Sequence, residues 1–323
     1  MDWFEALTGF REASVADVRG QFIVEDDHLV SKANGRRMKV GQFETPSVAE
    51  LRSILPPPSG VPTSVREVVG DVQRFHLMAA NEGATFQVAS QFNALEMVSP
   101  EVTPEDGVGR YEHDRTQGPA CAIACGAGTI WRNYFTPVAG EPGQTMTRQI
   151  DTLADVGAAL GVTFPMRNGY ALPAPEMLRR AAAAVGELSA DERRGVGDLL
   201  RIGMQWNTEV TLGGASHSLT QAYCSAAPIG YSHCTAEEWE AVARLILEGA
   251  YDATLASARV NAAETGNHTV FLTLLGGGVF ANPFSWIADA IRAAVDSHAD
   301  SGLDIVIVSY GGPDARLAPL LRG

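Results

Sequence analysis

The sequence predicts a layered α/β protein built on a mostly parallel sheet. In its last third, apolar strands of about seven residues alternate with helices, which is typical of buried parallel strands covered by helices on both faces. Two helix starts, at 189–192 and 235–238, carry a capping-box pattern in which side chains satisfy the first free N–H groups. With 323 residues and 46% apolar residues, the chain can bury the core of one enlarged domain.

The elements are predicted in the following order along the chain. Residues 1–60 form an N-terminal extension that packs on the core, because the run Pro56-Pro57-Pro58-Ser59-Gly60 can neither continue a helix nor join a central strand. Residues 61–323 form the main domain, interrupted by a helical insertion at about 140–205 with helices at 176–187 and 191–204. The remaining predicted strands lie at 65–71, 85–90, 219–225, 269–275 and 303–309, and the remaining predicted helices at 76–81, 119–134, 235–261 and 283–298.

The charge balance limits the classes of partner. Asp and Glu number 38 against 24 Lys and Arg, so the net charge of −14 repels a nucleic-acid backbone. An anionic small ligand must therefore be held by backbone N–H groups, whose dipoles act locally. The acidic start of the chain and the absence of a long apolar run predict neither a signal peptide nor a membrane span, and the four scattered cysteines favour a reducing, cytoplasmic location.

A glycine-rich loop follows the apolar strand at 269–275. In Gly276-Gly277-Gly278-Val279-Phe280-Ala281-Asn282-Pro283, the glycines allow the backbone to approach a ligand closely. Asn282 is predicted to cap the next helix and Pro283 to occupy its first position. Free N–H groups at such a turn form an anion site, although a tight turn without a ligand also uses glycine.

The same loop fits the dinucleotide pattern GxGxxA, so a hydride-transferring enzyme is an alternative. That alternative expects an acidic residue at the end of the next strand, where this chain has Val308-Ser309-Tyr310. The motif also lies near the end of the sequence, whereas the dinucleotide pattern belongs to the first strand-to-helix turn. The dehydrogenase interpretation therefore loses most of its support.

An acidic segment at 101–114 carries the densest group of reactive side chains. Five carboxylates lie within these fourteen positions, between the end of the strand at 85–90 and the start of the helix at 119–134, where α/β folds place ligands. They could activate water, orient a ribose hydroxyl or pair with a guanidinium. A solvated acidic loop is the plain alternative, and a divalent metal held by Glu105, Asp106, Glu112 and Asp114 is left open.

The order of these motifs resembles a macrodomain, the fold that binds ADP-ribose. Val69-Gly70-Asp71-Val72 resembles the family's element whose aspartate contacts adenine, and the strand end at 87–93 lies where the family has an asparagine. The loop at 276–283 resembles the family's diphosphate loop, and Tyr310 lies where an aromatic side chain flanks the adenine. The resemblance covers about 65–135 and 215–315, and it implies a three-layer α/β/α fold with a mixed, mostly parallel sheet.

The segment from Glu105 to Pro119 is more similar to the MavL-type, arginine-specific macrodomains, which remove ADP-ribose from arginine, including arginine of ubiquitin. This resemblance implies that Asp106 and Asp114 are the catalytic or substrate-orienting carboxylates, with Glu105 and Glu112 as further candidates. It implies ADP-ribose as ligand and product, an ADP-ribosylated protein as partner and no separate cofactor. The predicted ligand contacts are Asp71, Gln91, Phe92, Asn93, Gln117, Gly118, Gly276, Gly277, Gly278, Val279, Phe280, Asn282 and Tyr310.

Two other functions are compatible with the same loop. One is a non-catalytic reader that binds ADP-ribose without turnover, and the other is a hydrolase of a small NAD-derived nucleotide. The function predicted from the resemblance is hydrolysis of ADP-ribosylated arginine of proteins, with these two functions as alternatives.

Overall fold

The computed structural model describes residues 1–322. Within this range, the α-helices are α1 (Trp3–Thr8), α2 (Val15–Gly20), α3 (Val48–Ser53), α4 (Val72–Leu77), α5 (Gln117–Ala124), α6 (Gly126–Tyr134), α7 (Ala154–Ala159), α8 (Pro175–Glu187), α9 (Ala190–Gly197), α10 (Ala236–Thr265) and α11 (Phe284–Ser297). The strands are β1 (Phe22–Glu25), β2 (His28–Ser31), β3 (Arg37–Lys39), β4 (Gln42–Glu44), β5 (Ser64–Val69), β6 (Thr85–Ala89), β7 (Pro137–Val138), β8 (Glu141–Pro142), β9 (Met166–Arg167), β10 (Tyr170–Ala171), β11 (Gly203–Glu209), β12 (Ser218–Cys224), β13 (Thr269–Leu272) and β14 (Asp304–Ser309). Among these residues, no helix is both long enough and apolar enough to cross a membrane.

A seven-stranded mixed sheet forms the centre of the molecule. Its order is β4-β11-β12-β6-β13-β14-β5, and the five strands from β12 to β5 are mutually parallel. β11 runs antiparallel to both of its neighbours. The carboxyl ends of the five parallel strands therefore meet at one edge of the sheet, which is where α/β proteins bind ligands.

Helices cover both faces of the sheet. α10 lies on one face and packs against α11, α8, α9 and α3, while α4, α5 and α6 lie on the other. The alternation of side chains along β6 shows how the faces differ: Phe86 packs with Phe271 and the helix residue Cys121, whereas Gln87 donates to Thr254 of α10. The predicted three-layer α/β/α fold with a mixed, mostly parallel sheet is confirmed.

The first 60 residues are more closely integrated than the predicted extension. They form the small antiparallel sheet β1-β2-β3, and β4 joins the edge of the main sheet beside β11. Phe4 and Leu51 are fully buried in the same hydrophobic core as α10. The segment therefore supplies core side chains and an edge strand.

The region at 140–205 contains α7, α8 and α9, and the capping box at Ser189 is present. The prediction of a helix continuing to Met204 is wrong, because α9 ends at Gly197 and β11 begins at Gly203. Glycine weakens a helix by about 1 kcal/mol relative to alanine, and Gly195 and Gly197 lie in its last turn.

The remaining predicted elements are present, with three main changes in the helix and strand ends. The helix predicted at 76–81 is replaced by α4, which ends at Leu77, and by a 3-10 helix at Ala79–Asn81. The helix predicted at 119–134 is divided at Cys125 into α5 and α6. The strand predicted at 269–275 ends at Leu272, because Leu275 donates its N–H to the carbonyl of Thr273 and to the hydroxyl of Tyr251. The long helix α10 begins with the predicted capping box.

Substitutions in α3 test whether the first 60 residues belong to the cooperative fold. Leu51→Ala removes a side chain that is 0% exposed, and we expect it to lower the free energy of unfolding by about 2–5 kcal/mol. Ile54→Ala is the control, because Ile54 is 58% exposed and its loss should change the free energy by less than about 0.5 kcal/mol. Urea denaturation of both variants measures this, and equal small effects would show that the segment folds separately.

Candidate active site at the carboxyl edge of the sheet

A cavity lies where β6 and β13 diverge. β13 ends at Leu272, while β6 continues to Ala89. The side-chain amide of Gln117 fills the missing ladder position: it accepts the N–H of Ala89 at 2.9 Å and donates to the carbonyl of Gln87 at 2.8 Å. The space beyond it, about 180 Å³, is lined by Ala89, Ser90, Gln91, Glu96, Met97, Val98, Asp114, Thr116, Gln117, Gly118, Pro119, Tyr170, Ala226, Tyr231, Thr273, Leu274, Leu275, Gly276, Gly278, Val279 and Phe280.

The glycine-rich loop forms one wall of this cavity and presents free N–H groups. Among residues 1–322, the backbone N–H groups of Gly278, Val279 and Phe280 donate to no acceptor. Gly276 has a φ of +72°, and a Cβ there would press against Ala226 and Asn282, so the turn requires glycine. Successive backbone N–H groups without acceptors can bind an anion where they point to the same side.

The predicted roles of Asn282 and Pro283 in capping are wrong. Pro283 is itself the N-cap of α11, and no side chain caps this helix. The amide nitrogen of Asn282 instead donates to the carbonyl of Ala227 at 2.8 Å, which ties the glycine-rich loop to the loop after β12.

The segment after β6 turns back and carries Glu96 into the cavity. The side chain of Gln91 accepts the N–H of Met97 at 2.6 Å, and that of Asn93 accepts the N–H of Leu95 at 3.1 Å. Ala94, between them, has a φ of +57°, a conformation that alanine adopts at a cost of about 1 kcal/mol. The hydroxyl of Tyr111 accepts the N–H of Glu96 at 3.1 Å, so the backbone at Glu96 is fixed from both sides.

Glu96 is a buried carboxyl group. It is only 4% exposed, and its Oε1 has no hydrogen-bond partner among the described residues. Burial raises the pKa of Glu96 well above its usual value; the charge of Arg132 opposes this rise, and Asp114 adds to it. Because burial favours the protonated form of the carboxyl group, Glu96 can act as an acid in the cavity.

Asp114 lies at the entrance to the same cavity, just before α5. Its carboxylate accepts the N–H of Thr116 at 2.9 Å, which fixes the turn into the helix. The predicted ligand residue Gly118 lies against Ala89 and Glu96, and a Cβ at this position would collide with the carbonyl of the first and the carboxylate of the second. Gly118 thus permits Glu96 and the strand end to lie against the start of α5.

The other three predicted carboxylates lie outside the cavity and hold the acidic segment in place. Asp106 accepts the N–H and hydroxyl of Thr103 at 2.8 and 2.9 Å, and the Thr103 N–H lowers the pKa of Asp106. Glu105 accepts the N–H of Met146 at 2.8 Å. Glu112 accepts the N–H of Trp3 at 3.1 Å.

These bonds give the side chains structural partners, so the geometry supports a catalytic role for Asp114 only among the four. The separation of the four carboxylates also bears on the divalent metal site that the sequence left open. Among residues 1–322, no three His, Cys, Asp or Glu side chains lie together as a metal site.

Some of the predicted ligand contacts line the cavity, and the others lie outside it. Gln91, Gln117, Gly118, Gly276, Gly278, Val279 and Phe280 line the cavity. Phe92 and Asn93 are buried behind it, and the amide of Asn93 donates to Gln149. Asp71 lies at the carboxyl edge, where its carboxylate accepts the N–H of Gln73 as the N-cap of α4.

A second, open groove of about 850 Å³ lies on the other side of the glycine-rich loop, at the ends of β13 and β14. It shares Thr273, Leu274 and Gly278 with the cavity. The predicted residues Gly277, Asn282 and Tyr310 line it, and the ring of Tyr310 is 87% exposed. An elongated ligand could therefore cross the free N–H groups from the cavity to this exposed ring.

The sequence singled out Phe280 but not Glu96, Tyr170 or Tyr231. Tyr231 packs edge-on against Tyr170 at 4.9 Å, and Phe280 completes the cluster at 5.6 Å from Tyr170. A single carboxylate within the apolar run Ala94-Leu95-Glu96-Met97-Val98 was a usable signal, because Glu is rarely buried without a specific reason. No local pattern marks Tyr231.

Comparisons with known proteins give similarity in overall fold only. No family model matches the chain, and no curated protein matches its sequence. Among solved structures, poly(ADP-ribose) glycohydrolase from Thermomonospora curvata is similar with 15% identity, 91% of each chain covered and a TM-score of 0.44. Poly(ADP-ribose) glycohydrolase from Deinococcus radiodurans in complex with ADP-ribose gives 11% identity, 94% of each chain covered and a TM-score of 0.47. At this low identity and TM-score, only the residues of the cavity bear on function.

The burial of Glu96 predicts a pH-dependent effect on stability. A carboxyl group whose pKa is raised in the folded state stabilises the fold fully below its unfolded pKa, and this contribution is lost as the pH rises through the folded pKa. We therefore expect Glu96→Gln to gain stability relative to the wild type as the pH rises above about 4.3, the usual pKa of a glutamate in an unfolded chain. Thermal unfolding across this range measures the difference; the exposed Glu25→Gln is the control, and a pH-independent difference would contradict the prediction.

Proposed function

We propose that the chain hydrolyses the N-glycosidic bond that joins ADP-ribose to an arginine side chain of a protein. The observation that carries the proposal is the pair Glu96 and Asp114 in one cavity, beside three free backbone N–H groups. Paired carboxyl groups are the usual catalytic groups for glycosidic bonds, and free N–H groups are the usual site for a diphosphate.

In the proposed complex, the diphosphate lies on the N–H groups of Gly278, Val279 and Phe280. The distal ribose enters the cavity, and the adenine lies in the groove beside Tyr310. The cavity of about 180 Å³ is smaller than the roughly 300–1,000 Å³ of sites that enclose a whole ligand. The proposal therefore places only the reacting sugar between the carboxyl groups.

The reaction then needs one base and one acid. The bond from the ribose carbon to the guanidine nitrogen breaks, leaving a positively charged sugar that the Asp114 carboxylate stabilises. Water forms the new carbon–oxygen bond and gives its proton to Asp114, while Glu96 returns a proton to the leaving guanidine. Burial raises the pKa of Glu96 and so favours the protonated form that this step needs.

The charge of the segment that carries Asp114 favours a cationic substrate. Glu101, Glu105, Asp106, Glu112 and Asp114 lie on one short segment of a chain with net charge −14. Such a surface attracts an arginine-containing segment and repels an acidic one. The similarity of residues 105–119 to arginine-specific macrodomains agrees with this preference.

One observation favours a second candidate, hydrolysis of an O-glycosidic ADP-ribose bond. An alkoxide leaving group needs a proton more than a guanidine does, and Glu96 is a buried acid able to supply one. Serine-linked ADP-ribose and poly(ADP-ribose) therefore belong in the assay beside arginine-linked ubiquitin. Binding of ADP-ribose with turnover of none of them would instead indicate a non-catalytic reader.

Substitution of the two cavity carboxyl groups tests the reaction. We expect Asp114→Asn and Glu96→Gln each to lower kcat for release of ADP-ribose from arginine-linked ubiquitin by about 10²–10⁴-fold, the usual range for loss of an acid or base. Release of ADP-ribose is followed by chromatography.

The matched control is Asp106→Asn, whose side chain lies on the same segment but outside the cavity. It should retain activity close to that of the wild type. If Asp106→Asn inactivates the enzyme while Asp114→Asn does not, the assignment of roles is wrong.

Two glycines of the same loop separate ligand binding from folding. At Gly278 a Cβ meets no atom within 4 Å, so Gly278→Ala should fold normally but should weaken ADP-ribose binding by intruding where the ligand approaches. At Gly276 the positive φ makes alanine strained, and Gly276→Ala should lower the free energy of unfolding by about 1–3 kcal/mol.

Calorimetry and urea denaturation measure these two effects. Gly186→Ala is the control, because its Cβ would also meet no atom within 4 Å and it lies on the separate helix α8. Unchanged affinity in Gly278→Ala would contradict the diphosphate site.

A further inference from the structure

Glu12, in the N-terminal segment, makes three hydrogen bonds to the main domain. Its Oε1 accepts the N–H of Val108 at 2.8 Å and the hydroxyl of Tyr134 at 2.6 Å, and its Oε2 accepts the N–H of Gly109 at 2.7 Å. Hydrogen bonds to a charged acceptor are roughly twice as strong as neutral ones. The Glu12 carboxylate thus joins the first 60 residues to the backbone of the acidic segment.

The surrounding sequence leaves space for this carboxylate. A Cβ at Gly107 would collide with the carboxylate of Glu12, and a Cβ at Gly109 would lie 2.9 Å from its Oε2. Trp3 adds a bond from the same N-terminal segment, because its indole N–H donates to the carbonyl of Val108 at 3.0 Å. The backbone at 107–109 is therefore held from one side by the N-terminal segment.

The held backbone leads directly to both cavity carboxyl groups. Two residues after Gly109, the hydroxyl of Tyr111 accepts the N–H of Glu96. The carbonyl of Tyr111 accepts the N–H of Asp114 at 3.1 Å. The glycine-rich loop makes no contact in this chain of bonds, so anchoring of an anion does not depend on Glu12.

We infer that Glu12 is a positioning residue, which holds Tyr111 so that Glu96 and Asp114 keep their places in the cavity. This inference rests on the proposed function for its kinetic consequence. The N-terminal segment is thereby part of the catalytic geometry, although none of its residues lines the cavity.

Glu12→Gln is the main test, because an amide nitrogen cannot accept an N–H. A displacement of about 1 Å at a reacting group costs up to about 10²-fold in rate, and we expect a fall in kcat of about that size with the dissociation constant for ADP-ribose unchanged. Tyr111→Phe removes the hydroxyl that accepts the N–H of Glu96, and it should lower kcat by a similar factor. The double variant should be no slower than the slower single variant. The control is Glu25→Gln, since Glu25 is an exposed residue of β1 whose carboxylate pairs only with Arg37, at 3.5 Å, among the described residues.

Amide hydrogen exchange gives a readout that does not depend on activity. Glu12→Gln should speed exchange at Val108, Gly109 and Glu96 and leave α10 unchanged. Equal loss of kcat and of ADP-ribose affinity, or faster exchange throughout the chain, would show a merely structural role and overturn the inference. If the wild type releases no ADP-ribose, the proposed function fails, and exchange alone decides: faster exchange confined to these amides supports the positioning role, and unchanged exchange overturns it.

Discussion

The site depends on the point at which β13 leaves the sheet. Beyond Leu272 the neighbouring strand β6 continues for two residues, Val88 and Ala89, without a strand partner on that side, and unpaired backbone groups in a buried position are costly. The side-chain amide of Gln117 satisfies the N–H of Ala89 and the carbonyl of Gln87, and Gln87 in turn accepts the N–H of Thr273. Because one amide replaces a length of strand, space remains beside it. The start of α5, the glycine-rich loop and Glu96 all lie around that space.

Arg132 and Glu96 are two buried ionisable side chains that do not form an ion pair with each other. Arg132 is fully buried, and it donates to the carbonyl of Ala94, the amide oxygen of Gln205 and the hydroxyl of Thr129 while lying 3.6 Å from the ring centre of Tyr223. Among the described residues, no carboxylate lies within 4 Å of it, so neutral acceptors and an aromatic face stabilise its charge. Its charge opposes the rise in the pKa of Glu96 without forming a pair with it. The Oε1 of Glu96 therefore has no hydrogen-bond partner among the described residues.

The sequence predicted the elements whose signal is local. The apolar strands, the capping boxes and the glycine-rich turn are patterns within a few residues, and the structure contains them. Prediction failed where an element depends on a contact with residues distant in sequence. Nothing near Gln42 shows that β4 will pair with β11, some 160 residues later. Nothing near Gln117 shows that its amide will bond to Gln87 and Ala89, about 30 residues earlier in the sequence.

The same reasoning explains why the acidic segment was a partial guide to the site. Counting carboxylates weights every acid equally, but a solvent-exposed carboxylate interacts weakly with its surroundings, whereas burial changes the behaviour of the group. Asp106 lies on the surface and stabilises the turn in which it lies. Its position in a dense acidic run therefore says little about a catalytic role. Glu96 lies in an apolar run, and burial raises its pKa.

Local dipoles make the proposed anion site compatible with a strongly acidic protein. The free N–H groups at 278–280 act over a few ångströms, and the more distant surface charges are screened over about 8–10 Å at physiological salt. In the proposed complex, local dipoles hold the negative part of the ligand, while the acidic surface acts on the cationic part. The two ends of the proposed substrate, an ADP-ribosylated arginine, have these opposite charges.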